Sequence, residues 1–299
     1  MAALPGPLPL PPVEHLLPAQ AELGEGAIWN PDDERLYWVD IEGMVLHIFD
    51  PATNYDRQLP TGSRVGTVVP AGPGYVVLAL QSGIHRLNTR TGELTLLGRP
   101  LTDPAIRFND GKCDPAGRLW VGTMALDTQA GAATLYRFGA DHQLRPVLRH
   151  VTISNGLVWT ADQRIMYYVD TPTQTVQAFD YDHASGHLRN GRPALRIPAA
   201  DGAPDGMTID AAGHLWIALW GGGQVVCYDP ATAERLHTIP VPAPNTASCA
   251  FGGPGLLTLY ITTARHGLTP EQLRQYPRSG DLFAVRPGVA GVPANGFRG

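Results

Sequence analysis

The chain alternates short apolar runs, rich in β-branched and aromatic residues, with turns rich in glycine and aspartate. One region contains three such runs in succession, Gly206–Ile209, Leu215–Leu219 and Gln224–Tyr228, with Asp210–Gly213 as the first turn. Short β-rich runs separated by turn residues predict consecutive antiparallel strands. The pattern therefore predicts a small antiparallel sheet, and a carboxylate, Asp205, stands directly before its first strand.

This strand–turn–strand unit repeats along the chain, each time beginning at a residue in the position of Asp205. The equivalent positions are Glu25, Gly66, Asn109, Asn155, Asp205 and Ser248. Their spacings are 41, 43, 46, 50 and 43 residues. Six copies of a three- to four-stranded unit at this period predict an all-β fold, a six-bladed β-propeller. A pair of β-sandwiches would not produce a six-fold period. An insertion in the last unit, Arg265–Arg278, is predicted to contain a short helix.

The composition favours one compact domain. The chain has 34 glycines, 28 prolines and only 16% charged residues, which suits many turns rather than long helices. No linker separates two compositionally different halves, so we predict a single propeller domain over residues 19–299. Residues 1–18 are rich in leucine and proline but lack the basic start of a signal peptide, and we predict a loose leader there.

Charge and cysteine content limit the partners and the compartment. The net charge is −5 and no basic run occurs, which argues against a nucleic-acid partner. No apolar run approaches the roughly 20 residues needed to span a bilayer, so no membrane span is expected. Cys113, Cys227 and Cys249 are far apart in the sequence and odd in number, which favours free thiols in a reducing, cytoplasmic compartment. We expect a monomer.

The recurring polar positions predict a common site. In a propeller, the first strand of each blade lines the central channel, so the six equivalent positions converge around one axis. Two carboxylates, two amides and a hydroxyl would be costly to bury there unpaired. A divalent cation would offset that cost, because carboxylate and amide oxygens suit a hard metal. The alternative is that each polar residue only caps the turn before its strand.

Several motifs, in order along the chain, resemble those of the senescence marker protein 30/gluconolactonase family. The resemblance runs from about Glu22 to about Val285. The motifs are Leu23-Gly-Glu-Gly-Ala-Ile-Trp, Arg107-Phe-Asn-Asp-Gly-Lys, Ser154-Asn-Gly-Leu, Tyr167-Tyr-Val-Asp, Pro204-Asp-Gly-Met and Cys249-Ala-Phe-Gly-Gly. The resemblance implies a six-bladed propeller with a divalent metal in its central channel.

The resemblance also implies roles for single residues. The family's metal ligands match Glu25, Asn155 and Asp205, and Asp205 is in addition implied as the general base. The family's substrate-binding arginine and asparagine match Arg107 and Asn109. A further substrate-contacting acid, a glutamate in animal members of the family, falls at Asp127, whose side chain is shorter. Calcium is the expected ion, and zinc, manganese, magnesium and iron(II) are alternatives.

The expected function is hydrolysis of an aldonolactone, gluconolactone-like or a pentonolactone, to the aldonic acid by a metal-dependent sugar lactonase. A phosphotriesterase-like hydrolase of the same fold is one alternative, and a non-catalytic calcium-binding regulatory protein is another. No Gly-x-Ser-x-Gly motif is present to suggest a serine nucleophile. Asp110 and Lys112, in the same predicted strand as Asn109, are candidates for a supporting pair.

Overall fold

The computed structural model describes residues 10–99 and 101–299 and confirms the predicted all-β, six-bladed propeller. Its 24 strands form six four-stranded antiparallel sheets, one for each blade. Within residues 10–99 and 101–299, no helix has the length and hydrophobicity that crossing a bilayer requires. The predicted helix in the last insertion is confirmed as α1 (Pro270–Gln275), which begins with a capping box between Thr269 and Gln272.

In the first five blades, the strands follow one another along the chain from the channel outwards. Blade one contains β2 (Gly24–Asn30), β3 (Arg35–Asp40), β4 (Val45–Asp50) and β5 (Tyr55–Pro60). Blade two contains β6 (Val65–Pro70), β7 (Tyr75–Leu80), β8 (Gly83–Asn88) and β9 (Leu94–Gly98). Blade three contains β10 (Ile106–Cys113), β11 (Leu119–Ala125), β12 (Ala133–Phe138) and β13 (Leu144–Val151). Blade four contains β14 (Ser154–Trp159), β15 (Ile165–Asp170), β16 (Thr175–Tyr181) and β17 (Leu188–Arg196). Blade five contains β18 (Ala203–Ile209), β19 (Leu215–Trp220), β20 (Gln224–Asp229) and β21 (Glu234–Pro240). Short 3-10 turns lie at Thr171–Thr173, Ala199–Asp201 and Pro254–Leu256.

The sixth blade is built from both ends of the described chain. Its order from the channel is β22 (Asn245–Gly252), β23 (Thr258–Ala264), β24 (Leu282–Val285) and then β1 (Glu14–Leu17). The prediction of a loose leader through residue 18 is therefore wrong for β1, which pairs antiparallel with β24. Residues 1–9 lie outside the described part of the chain. Closing the ring with an N-terminal strand covers the edge of β24 that would otherwise stay unpaired.

Burial falls from the channel to the rim of every blade. The innermost strands β2, β6, β14 and β22 are buried at every position, because the channel and the neighbouring blades cover both of their faces. The outermost strand β13 is mostly exposed or half-buried and carries polar residues on its solvent side. The apolar core consequently lies between adjacent blades.

All six innermost strands carry a register shift against their neighbours. In β2, for example, Glu25 pairs with Val39 and the next aligned pair is Ile28 with Tyr37. Equivalent shifts occur in β6, β10, β14, β18 and β22. Such bulges redirect side chains and are common next to functional sites. The bulges coincide with the recurring polar positions found in the sequence.

Candidate metal and substrate site

Five of the six predicted site residues lie together at one end of the central channel. Glu25, Arg107, Asn109, Asn155 and Asp205 all line one cavity of about 220 Å³, here called the site cavity. They come from β2, β10, β14 and β18 and are all buried. The rest of its wall is formed by Leu23, Met124, Thr128, Ile153, Thr171, Trp220 and His266. These further residues were not singled out from the sequence, because most of them are apolar and none stands at one of the recurring polar positions.

A chain of hydrogen bonds orients the amides of the site. Arg107 Nη1 donates to Asn109 Oδ1 at 2.6 Å, and Asn109 Nδ2 donates to Asn155 Oδ1 at 3.2 Å and to the Ser154 carbonyl at 2.8 Å. Asn155 Nδ2 then donates to Thr171 Oγ1 at 2.9 Å. Each amide nitrogen is therefore turned to the protein, which fixes the direction of each amide oxygen.

Two buried carboxylates face this network with few partners. Asp205 Oδ1 has no hydrogen-bond partner within residues 10–99 and 101–299. Glu25 Oε2 accepts only a long bond, 3.3 Å, from the Gly26 N–H among the described contacts. Burial, reinforced by the charge of Asp110 and opposed by Arg107, raises the pKa of Glu25 to about 8. Burial and then the charge of Glu25 raise the pKa of Asp205 as well.

These observations fit a hard divalent cation. The side-chain donors that the site offers are the oxygens of Glu25, Asn155 and Asp205, and an unpaired buried oxygen on Asp205 is the kind of atom that a cation would satisfy. The mutual repulsion of Glu25 and Asp205 would be relieved by a positive charge placed between them. An oxygen-only donor set favours calcium, magnesium or manganese over softer metals.

The glycine after each of two candidate ligands lets neighbouring strands approach closely. A Cβ at Gly156 would lie 2.6 Å from the carbonyl oxygen of Asp205, and one at Gly206 would lie 2.7 Å from Ser248 Oγ. Gly66 packs on the backbone of Asn109 in the same way, because a Cβ at Gly66 would lie 2.7 Å from the Asn109 carbonyl oxygen. Gly66 is therefore equivalent to Gly156 and Gly206. The sequence-based alignment of Gly66 with the ligand positions is wrong by one residue.

Asp127 and Ser248 lie outside the wall of the site cavity. Asp127 is exposed on the turn after β11, and its Oδ1 accepts the Gln129 N–H at 3.1 Å. The next residue, Thr128, does reach the wall and has a φ of 58°, which is unusual for a β-branched side chain. Ser248 Oγ accepts the Ala27 N–H at 3.3 Å and so joins the first and last blades. The role of Asp127 as a substrate contact stays a prediction.

A second cluster, Asp210, His214 and Cys227, brings possible metal-binding atoms within 4.8 Å of one another. Asp210 is already saturated, because its Oδ2 accepts from Trp216 Nε1 at 3.0 Å and its Oδ1 accepts the N–H groups of Ala212 and His214. In blade three, Asp114 accepts the equivalent bonds from Trp120 and Arg118. The cluster is therefore a turn that recurs between blades.

Comparisons with known proteins identify a family model and several similar proteins. The family model for the SMP-30/gluconolactonase/LRE-like region matches residues 23–265. A candidate sugar lactone lactonase from Bacillus subtilis (strain 168), YvrE, is 40% identical over 94% of this chain and 96% of its own length. Regucalcin of Danio rerio is 38% identical over 96% of this chain and 98% of its own.

A solved structure covers the chain almost completely. The crystal structure of a calcium-binding protein, regucalcin, from Agrobacterium tumefaciens superposes with a TM-score of 0.93 at 26% identity. The superposition covers 99% of this chain and 100% of that one. The family match and these relatives show that the chain belongs to the SMP-30/gluconolactonase/LRE-like family.

Proposed function

We propose that this protein is a divalent-cation-dependent lactonase that hydrolyses a sugar lactone to the corresponding aldonic acid. Family membership confirms the prediction of a lactone-hydrolysing enzyme. The observation that carries the finer proposal is the unpaired Asp205 carboxylate oxygen, which faces Glu25 and Asn155 in a cavity that also contains Arg107. A gluconolactone-like or pentonolactone substrate is proposed because Arg107 and Asn109 in the cavity wall can hydrogen-bond to its ring hydroxyls.

Glu25, Asn155 and Asp205 would hold the cation, and we propose Ca²⁺ because all three offer oxygen. A calcium-binding protein among the solved structures with the same fold supports that choice. When bound, the cation supplies Lewis-acid polarisation of the lactone carbonyl and stabilises the developing oxyanion. Zn²⁺, Mn²⁺, Mg²⁺ and Fe²⁺ are the alternatives to be tested.

The remaining chemistry belongs to the side chains. Arg107 and Asn109, locked together by their 2.6 Å hydrogen bond, would hold ring hydroxyls and orient the ester. Asp205 would orient the attacking water and share in accepting its proton. The water oxygen bonds to the carbonyl carbon, the ring C–O bond breaks, and the released alkoxide takes up a proton to give the hydroxy acid.

The decisive experiment is add-back of cations to chelator-stripped protein. Acid release from a panel of aldonolactones should disappear after stripping, as confirmed by elemental analysis, and return with one divalent ion. Full activity in metal-free protein would overturn the cation dependence. A paraoxon-type phosphotriester in the same panel tests the phosphotriesterase alternative, and Ca²⁺ binding with no lactone turnover would favour a regulatory protein. A monomer in the cytoplasm without nucleic-acid or membrane partners remains our prediction.

A further inference from the structure

The motif around Asn109 contains two charged residues, Asp110 and Lys112, that the proposed reaction does not use. The bulge in β10 leaves Asn109 and Asp110 together opposite Gly122, because Phe108 pairs with Thr123 and the next aligned pair is Gly111 with Val121. A bulge of this kind redirects a side chain that would otherwise follow the strand alternation. Asp110 is buried but does not line the site cavity.

Asp110 is an incompletely satisfied buried charge. Its Oδ1 accepts the N–H of Gly111 at 2.8 Å, and its Oδ2 has no partner in the described part of the chain. Burial raises its pKa, and the positive charge of Lys112 opposes that rise. Lys112 is thus the nearest compensating cation for Asp110 on its own strand.

Lys112 reaches across the channel to the strand that carries Asp205. Its Nζ donates to the carbonyl oxygen of Met207 in β18, which connects blade three with blade five. Met207 follows the bulge in which Asp205 and Gly206 together oppose Ala218. The Lys112 side chain also lines the cavity at the far end of the channel, so it extends along the axis rather than out to the rim.

A second side chain holds the same bulge from its other end. Thr171 Oγ1 donates to the carbonyl oxygen of Pro204 at 2.9 Å, directly before Asp205. Lys112 and Thr171 therefore bind the two carbonyls that flank Asp205-Gly206. Because a bulge interrupts the ladder of strand hydrogen bonds, these two contacts supply constraints that the ladder does not.

The sequence shows that lysine is used here selectively. Lys112 is the only lysine among the 22 lysine and arginine residues of the chain. A compact ammonium on a flexible stem fits a narrow channel and a single carbonyl, whereas the wide planar guanidinium of arginine does not. Position 112 therefore favours lysine, although the other basic side chains of this type are all arginine.

We propose that Lys112 is a positioning residue. Together with Thr171, it holds the bulge at Asp205-Gly206 in the geometry that binds the cation. Asp110 is the buried counter-charge of Lys112. The inference rests on the proposed function in one respect, that a divalent cation is the ligand of Asp205. Residues that orient metal ligands in this way typically change metal affinity by about 10- to 100-fold when removed.

The test measures Ca²⁺ affinity by calorimetric titration of the chelator-stripped full-length protein, alongside its urea unfolding. We expect Lys112→Met to weaken Ca²⁺ binding by about tenfold or more. Adding Asp110→Asn to Lys112→Met should restore part of the unfolding free energy that Lys112→Met loses, because the uncompensated buried charge is then removed, but it should not restore the Ca²⁺ affinity. Thr171→Val, which leaves all charges in place, should also weaken Ca²⁺ binding, because it removes the hydrogen bonds to the Pro204 carbonyl and from Asn155 Nδ2.

A matched control separates positioning from general stability. Asp56→Ala removes the 2.7 Å contact with His47, a similarly buried pair in blade one, and should lower stability without changing Ca²⁺ affinity. If Lys112→Met and Thr171→Val lose stability but bind Ca²⁺ within about twofold of wild type, the proposed positioning role is wrong. A wild-type protein that binds no divalent cation would instead overturn the proposed function, so the two failures are distinguishable.

Discussion

The cavities at the two ends of the central channel share the inner strands β2, β10, β14 and β18 but differ in the charged side chains that they contain. At the site end, the cavity of about 220 Å³ brings together Glu25, Arg107 and Asp205. At the far end, a cavity of about 70 Å³ is lined largely by apolar side chains such as Trp29, Trp159 and Phe251, with Lys112 from the channel. The C-terminal segment, residues 292–295, closes that second cavity.

The difference between the two ends arises from the backbone hydrogen bonding of the inner strands. Each strand is bulged near its start, at the site end, and keeps regular pairing at its finish, as in Trp29 with Leu36 and Phe251 with Leu259. The C-terminal segment adds bonds at the far end, where the Phe297 N–H donates to the Pro70 carbonyl at 2.7 Å. The propeller can therefore keep unpaired carboxylates at one end because packing at the other end and between blades stabilises the fold.

The largest expected effect comes from Asp205→Ala. Lactone turnover at saturating Ca²⁺ should fall by about a thousandfold or more, because a ligand and a proton acceptor are lost together. The cation-free protein should be as stable as wild type or more stable, because a buried and partly unsatisfied carboxylate is removed. Steady-state kinetics and urea unfolding check both halves, and a variant that loses stability would contradict the separation of site and scaffold.

Arg107→Ala should lower kcat/KM by about a hundredfold, since a charged hydrogen-bond donor to the substrate disappears. One bound cation should remain in elemental analysis, because Arg107 is on the substrate side of the site. The matched variant Arg107→Lys keeps the charge without the guanidinium fork and should recover only part of the rate. Loss of the cation in either variant would show that the ligand set is misassigned.

The stability of the cation-free protein and its Ca²⁺ affinity should both depend on pH, because Glu25 titrates in the site cavity. In the cation-free protein, the pKa of Glu25 is raised from 4.5 to about 8, so the folded state keeps a proton that the unfolded chain has lost in this window. Cation-free stability should therefore fall as the pH rises from about 4.5 to 8 and then level off. Ca²⁺ affinity should rise over the same range, by about tenfold per pH unit for each proton released. Calorimetry in buffers of different ionisation enthalpy counts those protons, and a pH-independent affinity would refute the assignment.

A smaller effect is expected at the edge of the site. Asp127→Ala should lower kcat/KM by about fivefold, the equivalent of about 1 kcal/mol for one exposed hydrogen bond. Thr128→Ala is the companion variant, because Thr128 lines the cavity whereas Asp127 does not. If only the Thr128 variant changes kcat/KM, the substrate contact belongs to Thr128.

The smallest effect on turnover should come from the far end. Phe297 is buried, and its ring centroid lies 5.9 Å from that of Phe138. Phe297→Ala should cost about 3 kcal/mol of unfolding free energy, lower the melting temperature by several degrees, and leave kcat/KM within about twofold of wild type. A matching loss of turnover measured well below the melting temperature would show that the two ends are coupled.

The fold was largely predictable because each blade repeats a local strand–turn pattern that periodicity detects. The same reasoning identified Glu25, Asn155 and Asp205, which the structure brings into one cavity. The strand Glu14–Leu17 was not predicted, since its short run follows two prolines and its partner is distant in the sequence. Thr171 was also missed, because its contact with the Pro204 carbonyl depends on a turn geometry that no sequence period encodes.

The pairing of β1 with β24 has a consequence for the order of folding. The contact between Glu14 and Ala284 spans nearly the whole chain, so ring closure carries a large entropic cost and is expected late. During synthesis, the last blade cannot be completed until β24 has left the ribosome. Glu25 and Asp205 belong to the blades on either side of that last blade. The ring position of these two carboxylates therefore depends on completing a blade whose outermost strand does not line the cavity they share.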